Sequence, residues 1–215
     1  MITLAVDAAT SIATVAVFRD ESLVVERAAA MRGTDRESLL PTVHDTLGEA
    51  ALPLQSVDRI VCGNGPGSFT SLRIAASTVK GLAFGLGAPV DVVSSLALVV
   101  ASAPRRAGRY LACLDALRGQ TYAAGYVLDA NGISEMLPPH LARNEDVASL
   151  AESIGAAVIG PGQAIDSSPH ARGALTAAPL TVRDIDLARW EPTYGRKAEA
   201  QARWEAAHGR PLPRG

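Results

Sequence analysis

Three strand-like runs at the start of this chain, followed by alternating helices and strands, restrict it to a mixed α/β fold. Apolar or alternating residues at 2–6, 13–18 and 23–30 are separated by short polar turns and predict a meander of strands. A helix at 34–51, a strand at 59–62, a helix at 68–85 and a strand at 90–93 follow. The order predicts one sheet with helices packed on it, and by itself permits more than one arrangement of the strands.

A second, smaller α/β unit is predicted after residue 103. Strands at 110–114 and 121–128 precede a turn at Asn131-Gly132, a helix at 145–153 and a short strand at 157–160. A loop-rich stretch then leads to a charged amphipathic helix at 194–208. We therefore predict a first domain at 1–103, a second domain at 104–190 and a C-terminal helical segment at 191–215.

A glycine-rich loop connects the predicted strand at 59–62 to the helix at 68–85. Gly65 and Gly67 can adopt positive φ, Pro66 removes one backbone donor, and Ser68 is placed to cap the helix. Such a loop either cradles an anion or fixes a docking helix. The candidate residues for either role are Gly65, Gly67, Ser68, Thr70, Arg73 and, from a predicted hairpin in the second unit, Arg118.

The helix at 68–85 has one apolar side, which predicts a core face, and one side of small residues. The small residues are Ser71, Ala75, Thr78, Gly81 and Gly85. Each interior glycine costs about 1 kcal/mol relative to alanine, so the helix is weak alone but open to close approach by another helix. Both the chain's own helix at 34–51 and a partner fit this face, and the two alternatives can hold together.

Composition and charge argue against several functions. With 215 residues, 48% of them apolar, the chain can bury a core, and its net charge of −2 gives no general reason to bind nucleic acid. No secretory signal precedes the first strand, and the apolar stretch at 81–104 is too interrupted to span a bilayer, so we expect a cytoplasmic protein without a membrane role. The four histidines are widely separated and predict no metal site.

The glycine loop and other short motifs resemble one protein family. Residues 65–70 read Gly-Pro-Gly-Ser-Phe-Thr, and further motifs follow in family order, among them Asp7 to Thr10, Ser38 to Pro41, and Tyr194 to Arg196. They resemble the TsaB (YeaZ) family, the small non-catalytic subunit of the bacterial complex that makes threonylcarbamoyladenosine on tRNA. The resemblance implies an actin-like ATPase (ASKHA) fold with a ribonuclease H-like N-terminal domain, and a C-terminal helix that returns to it.

The resemblance also implies partners. A TsaB-like chain would act as a scaffold for its catalytic paralogue, TsaD, together with the ATPase TsaE, and would meet tRNA only through the complex. It would bind no cofactor alone, which leaves open a nucleotide at the partner interface and a homodimer when isolated. The residues expected to bind the partner are Leu40, Val43, His44, Leu47, Ser71, Ala75, Thr78, Gly81 and Gly85.

Two departures from catalytic relatives bear on activity. Asp7 stands where actin-like ATPases place a carboxylate for a metal-bound nucleotide, but Ala8 and Ala9 follow it in place of glycine and hydroxyl residues. A turn-forming Asp7 is therefore favoured over a nucleotide contact. The paired histidines that hold a metal in the catalytic relatives are also missing. The remaining alternative is a glycoprotease-like hydrolase or an ATPase with an incomplete site.

Overall fold

Two five-stranded sheets form the framework of the described part of the chain. The computed structural model describes residues 1–31, 38–104, 107–130, 132–195, 204 and 207–210. The first sheet has the order β3-β2-β1-β4-β5. Its strands are β1 (Ile2–Asp7), β2 (Ile12–Arg19), β3 (Ser22–Ala30), β4 (Arg59–Gly63) and β5 (Val90–Val93). The first three are antiparallel neighbours, and β4 and β5 add to them in parallel.

The second sheet repeats this arrangement. Its order is β10-β9-β6-β7-β8, in which an antiparallel meander is again extended by two parallel strands beside its first strand. Its strands are β6 (Gly108–Leu117), β7 (Gln120–Asp129), β8 (Gly132–Arg143), β9 (Ala157–Gly160) and β10 (Ile165–Asp166). Two ribonuclease H-like halves of the same order constitute the actin-like fold, which confirms the predicted fold class.

Each sheet carries helices because its central strands are apolar on both faces. One face of the first sheet packs α1 (Leu39–Glu49) and α2 (Phe69–Leu86) through Leu4, Val6 and Ile60. The other face packs α3 (Ser95–Ala101), which lies in a core shared with the second sheet. The outer face of the second sheet packs α4 (Val147–Ser153). Within the described part of the chain, no helix is both long and apolar enough to cross a membrane.

Strand β8 is the main element that the sequence pattern misses. It is an edge strand, and it contains Pro138 and Pro139. A shift in its pairing with β7 falls where the two prolines lie, between the pairs Leu137–Gly125 and His140–Ala123. Edge position and a bulge are the two conditions under which a strand tolerates proline. The neighbouring helix also begins later than predicted, because residues Asn144–Asp146 form a 3₁₀ turn before it.

The first helix is shorter than the predicted 34–51. It begins at Leu39, and residues 34–37 of the predicted range lie outside the described residues. Pro41 is the third residue of α1. The first turn of a helix is the place where a missing N–H removes no intrahelical hydrogen bond, so proline starts this helix without kinking it.

The chain returns to the first sheet after the second. Val182 pairs with Val92 of β5 through two backbone hydrogen bonds of 2.9 Å, and the Arg59 guanidinium contacts Asp91 at 2.5 Å and Asp184 at 3.2 Å. The predicted helix does not begin at 194, because Tyr194 and Gly195 are not helical, and most of the rest lies outside the described residues. The three predicted domain ranges stay a prediction.

We expect the buried carboxylate of Glu26, on β3, to make stability depend on pH in acid. Glu26 is 13% exposed and accepts hydrogen bonds of 2.8 Å from the Arg172 backbone N–H and guanidinium, with His170 Nδ1 at 3.3 Å. Burial raises the pKa of Glu26, but the donors outweigh it and leave the pKa below its ordinary 4.5. Because the pKa of Glu26 is lower in the folded state than in the unfolded state, the ionised carboxylate stabilises the fold at pH values above 4.5. This stabilisation is lost as the pH falls through the pKa of Glu26 in the folded state.

The test is urea unfolding of Glu26→Gln at pH 7 and pH 3. The variant should lose about 1–2 kcal/mol at pH 7 and much less at pH 3. Glu49→Gln is the matched control, because the Glu49–Arg27 pair is about half exposed and exposed pairs contribute about 0–1 kcal/mol. Equal losses for Glu26→Gln at both pH values would contradict the expected linkage.

Candidate functional site

The glycine loop between β4 and α2 is held by backbone hydrogen bonds to three other segments. The Asn64 N–H donates to Val93 O at 2.7 Å, and the Ser95 N–H donates to Gly65 O at 2.8 Å. The Ser68 N–H donates to Ala9 O, in the turn after β1, at 2.7 Å. The loop therefore interlocks the ends of β1, β4 and β5 and sets the start of α2.

Glycine is required in this loop because the chain's own atoms fill the adjacent space. A Cβ atom on Gly63 would overlap the Asp7 carboxylate, and one on Gly67 would overlap the Ala9 backbone. A Cβ atom on Gly65 would likewise overlap the backbone of Thr193. These contacts support the interpretation that the loop fixes a docking helix. The anion-binding alternative stays a prediction.

Asp7 is a buried structural carboxylate. It is 0% exposed, its Oδ1 accepts the Ala9 N–H at 3.0 Å, and its Oδ2 accepts the Ser95 hydroxyl at 2.5 Å. Ser95 Oγ in turn accepts the Gly65 N–H at 3.1 Å, which connects the carboxylate to the glycine loop. Burial raises the pKa of Asp7, although the hydrogen bonds from Ala9 and Ser95 oppose the shift. The bond to Ala9 confirms the predicted turn-forming role.

The two cysteines are buried and structural. Burial and the neighbouring Asp7 raise the pKa of the Cys62 thiol far above its ordinary value, and burial raises the pKa of Cys113 to about 11. Both thiols are therefore neutral at physiological pH and weakly nucleophilic.

Ser68 occupies the N-cap position of α2, but the predicted side-chain cap is wrong. Its hydroxyl makes no capping hydrogen bond to the helix backbone; it accepts one from the Ser71 hydroxyl at 3.0 Å. The Ser68 backbone O accepts the Leu72 N–H at 2.9 Å and begins the helical pattern. The start of α2 is therefore fixed by the backbone interlock and not by a serine cap.

Four of the residues expected to bind a partner are core residues of this chain. Val43 and Leu47 of α1, and Ser71 and Ala75 of α2, are buried where the two helices pack on the first sheet. They do not reach the surface, because the small residues at this end of α2 let α1 and the sheet approach closely. At these four positions the alternative that holds is packing between the chain's own helices α1 and α2. The four side chains lie beneath the exposed surface of the two helices.

The other expected partner-binding residues lie at or near the surface of the α1–α2 pair. Leu40 is 50% exposed, His44 is exposed, and Thr78 is half-buried. Gly81 and Gly85 are exposed, and outside the local helix backbone no described residue has an atom within 4 Å of where a Cβ would lie. Phe84, between these glycines, is 91% exposed and was missed by the sequence analysis. We call the set Leu40, His44, Thr78, Gly81, Phe84 and Gly85 the docking face.

The remaining candidates divide between two places. Thr70 and Arg73 are exposed at the start of α2, with the Arg73 guanidinium 5.0 Å from the Phe69 ring centroid. Arg118 lies instead in the β6–β7 turn, where Arg118 and Gly119 have φ of 58° and 73°. Two left-handed residues are characteristic of a tight hairpin turn, which confirms the hairpin interpretation of this segment. Among the described residues, no three His, Cys, Asp or Glu side chains are grouped to hold a metal ion.

The duplicated sheets and the interlocked glycine loop define a protein of the actin-like class. A family model described as "TsaD: tRNA N6-adenosine threonylcarbamoyltransferase" matches residues 33–182. The structure of YeaZ from Pseudomonas aeruginosa is 28% identical, with a TM-score of 0.75 over 90% of this chain and 99% of that one.

Two curated relatives carry the same name, "tRNA threonylcarbamoyladenosine biosynthesis protein TsaB". The Bacillus subtilis protein is 31% identical over 65% of this chain and 60% of its own length. The Escherichia coli protein is 36% identical over 60% of this chain and 57% of its own length. The chain thus matches less than two thirds of either relative. It belongs to the TsaB/YeaZ family.

Proposed function

We propose that this chain is a non-catalytic docking subunit of the cytoplasmic assembly that makes threonylcarbamoyladenosine on tRNA. Family membership supports the pathway, since the curated relatives are named for this biosynthesis. The observation that carries the docking role is the exposed surface of α2, where Gly81 and Gly85 flank Phe84 and, among the described residues, contact nothing beyond the backbone of their own helix.

In the described part of the chain, no packing contact explains the glycines of the docking face. Each is less favourable than alanine in a helix interior by about 1 kcal/mol. An added Cβ at Gly81 or Gly85 would touch none of the described residues beyond the local helix backbone, so packing among those residues does not require glycine there. Close approach of a second helix would require it, because interhelical distance is set by the side chains at the contact.

Phe84 strengthens the argument for a partner. Its ring is 91% exposed in this chain. Burying such a side chain contributes about 1.5–3 kcal/mol, so a docked helix would stabilise the complex at this position. Leu40 and His44 on the neighbouring helix α1 are also exposed, which would give the partner a second helix to contact.

The partner proposed for this surface is TsaD. The family model matching this chain is the one described for TsaD, so a partner of that family would present helices of the same type. Docking of two helices on two others would form a four-helix contact. TsaE would join this pair, and tRNA would bind only through the complex, in agreement with the net charge of −2 on this chain. A nucleotide at the TsaD interface remains part of the proposal to be tested.

A docking role does not require catalytic groups in this chain. The Asp7 carboxylate, where the ATPase alternative would need a nucleotide contact, is enclosed by Ala9, Ser95 and Gly63. Docking would act by favouring the active conformation of TsaD, which is possible only to the extent that this chain binds that conformation more tightly.

Light scattering after size-exclusion chromatography tests the proposal directly. We expect this chain mixed with TsaD of the same organism to elute with the summed mass of one copy of each. Each protein run alone is the control, and the isolated chain is measured at several concentrations to detect a homodimer. If the two remain separate with and without nucleotide and TsaE, the docking proposal is overturned.

A further inference from the structure

Residues 190–195, in the C-terminal region, cross the glycine loop and are here called the C-terminal strap. The Trp190 indole N–H donates to Asn64 Oδ1 at 2.9 Å, and the Thr193 N–H donates to Asn64 O at 2.8 Å. The Asn64 side-chain amide completes the set by donating to Thr193 Oγ1 at 3.2 Å. One loop residue, Asn64, is thus bound by the strap through both its backbone and its side chain.

The strap also contacts α2 at two positions along the helix, Lys80 and Phe69. Lys80 donates from Nζ to the Trp190 backbone O at 2.6 Å, and its ammonium lies 5.6 Å from the Trp190 ring centroid. At the start of the helix, the Phe69 and Tyr194 rings are 4.5 Å apart between centroids. Both contacts lie N-terminal to Gly81. The part of α2 that precedes the glycines of the docking face is therefore the part that the strap holds.

The far end of the strap rests on the second sheet. The Tyr122 hydroxyl, on β7, donates to the Tyr194 backbone O at 3.0 Å. Gly195 has φ of 72°, and a Cβ at this position would overlap the Tyr122 ring and lie 2.9 Å from Pro66 Cβ. Only glycine satisfies both conditions, since an L side chain rarely adopts this φ and has no room here. The strap is therefore fixed between the two halves of the fold.

From these contacts we infer that the C-terminal strap positions α2 for docking. This inference rests on the proposed function and adds the residues that set the geometry of its surface. The docking face is formed in part by α2, a helix weakened by Gly81 and Gly85. Its first residue, Phe69, contacts Tyr194 and its Lys80 contacts Trp190. The strap is itself bound to the glycine loop through Asn64 and to the second sheet through Tyr122, so it determines the direction in which α2 presents Phe84.

The test compares Gly195→Ala with Gly162→Ala. Gly162 has φ of 69° and no atom within 4 Å of its Cβ position, so its variant introduces the backbone strain without the overlap. In the isolated chain, hydrogen exchange of the amides of residues 64–80 should be at least tenfold faster in Gly195→Ala than in the control, with β1 unchanged. The affinity for TsaD should fall at least tenfold in the same variant.

The two measurements separate this inference from the proposed function. If the wild-type chain does not bind TsaD, the docking proposal fails, whereas the exchange result still shows whether the strap holds α2. Equal exchange in the two alanine variants would overturn the inference, as would faster exchange with unchanged affinity. If Gly195→Ala does not fold, Trp190→Phe removes the indole donor to Asn64 together with part of the ring beside Lys80, and it should give the same pattern with a smaller change.

Discussion

Gly81→Leu is expected to break the complex with TsaD without weakening this chain. The leucine would project from α2 away from the described residues, since none of them outside the local helix backbone has an atom within 4 Å of the Cβ position. Replacing a helical glycine should stabilise the isolated chain by about 0.5–1 kcal/mol. In a close helix contact, the added side chain should cost about 1–3 kcal/mol, which corresponds to about a 5- to 150-fold loss of affinity.

Two further variants show whether the loss belongs to the docking face. Gly81→Ala should give the same gain in stability with a smaller loss of affinity, because it adds one methyl group. Ala148→Leu places a leucine on the exposed side of α4, on the second sheet, and should leave affinity unchanged. Urea unfolding and calorimetric titration with TsaD measure the two quantities. Normal TsaD binding by Gly81→Leu would show that α2 is not the contact.

Much of the fold could be predicted because its strands are short apolar runs, and residues typical of turns separate one run from the next. The meander at the start and the alternation after it account for the order of the first sheet. Strand β8 could not be predicted in this way, because Pro138 and Pro139 interrupt its pattern and are tolerated only through pairing with β7 that the sequence does not show. The likeness of the two halves is a property of strand order and not of residue identity.

The sequence could predict what type of site α2 forms, but not which of its small residues are buried and which are exposed. Small residues on α2 indicate close helix packing, and the same residue types serve a buried contact at Ser71 and Ala75 and an open surface at Gly81 and Gly85. Helical periodicity does not distinguish these two uses. Phe84 is exposed because it lies on the side of α2 that faces away from α1 and the first sheet. The sequence of α2 alone does not show which side that is.

The contacts around the glycine loop join residues far apart in sequence, which local patterns do not reveal. Ser95 lies 88 residues from Asp7, and Trp190 lies 126 residues from Asn64. A conspicuous glycine run was sufficient to identify the loop. The atoms that fill the space beside it come from three other segments, so sequence reasoning left both an anion and a docking role open.

Asp7→Ala is expected to cause the largest loss of stability among these variants. It would leave the Ala9 N–H and the Ser95 hydroxyl without their acceptor in a fully buried position. Each unsatisfied buried donor costs about 1–3 kcal/mol, so for two donors the free energy of unfolding should fall by about 2–6 kcal/mol. Asp115→Ala is the matched control. Asp115 accepts the Leu117 N–H at 2.7 Å near the end of β6 but is exposed, so water replaces it and the loss should be about 1 kcal/mol.

Asp7→Asn separates the hydrogen bonds of Asp7 from its charge. Because burial raises the folded pKa of Asp7 above its ordinary 3.8, the folded state binds the proton more readily than the unfolded state. The stability contributed by Asp7 is then fully present below 3.8 and is lost as the pH rises through the folded pKa. Asparagine does not titrate, so the advantage of wild type over Asp7→Asn should shrink as the pH rises from about 4 to 8. Urea unfolding across that range measures it, and an advantage that grows with pH would show that the fold instead stabilises the Asp7 carboxylate anion.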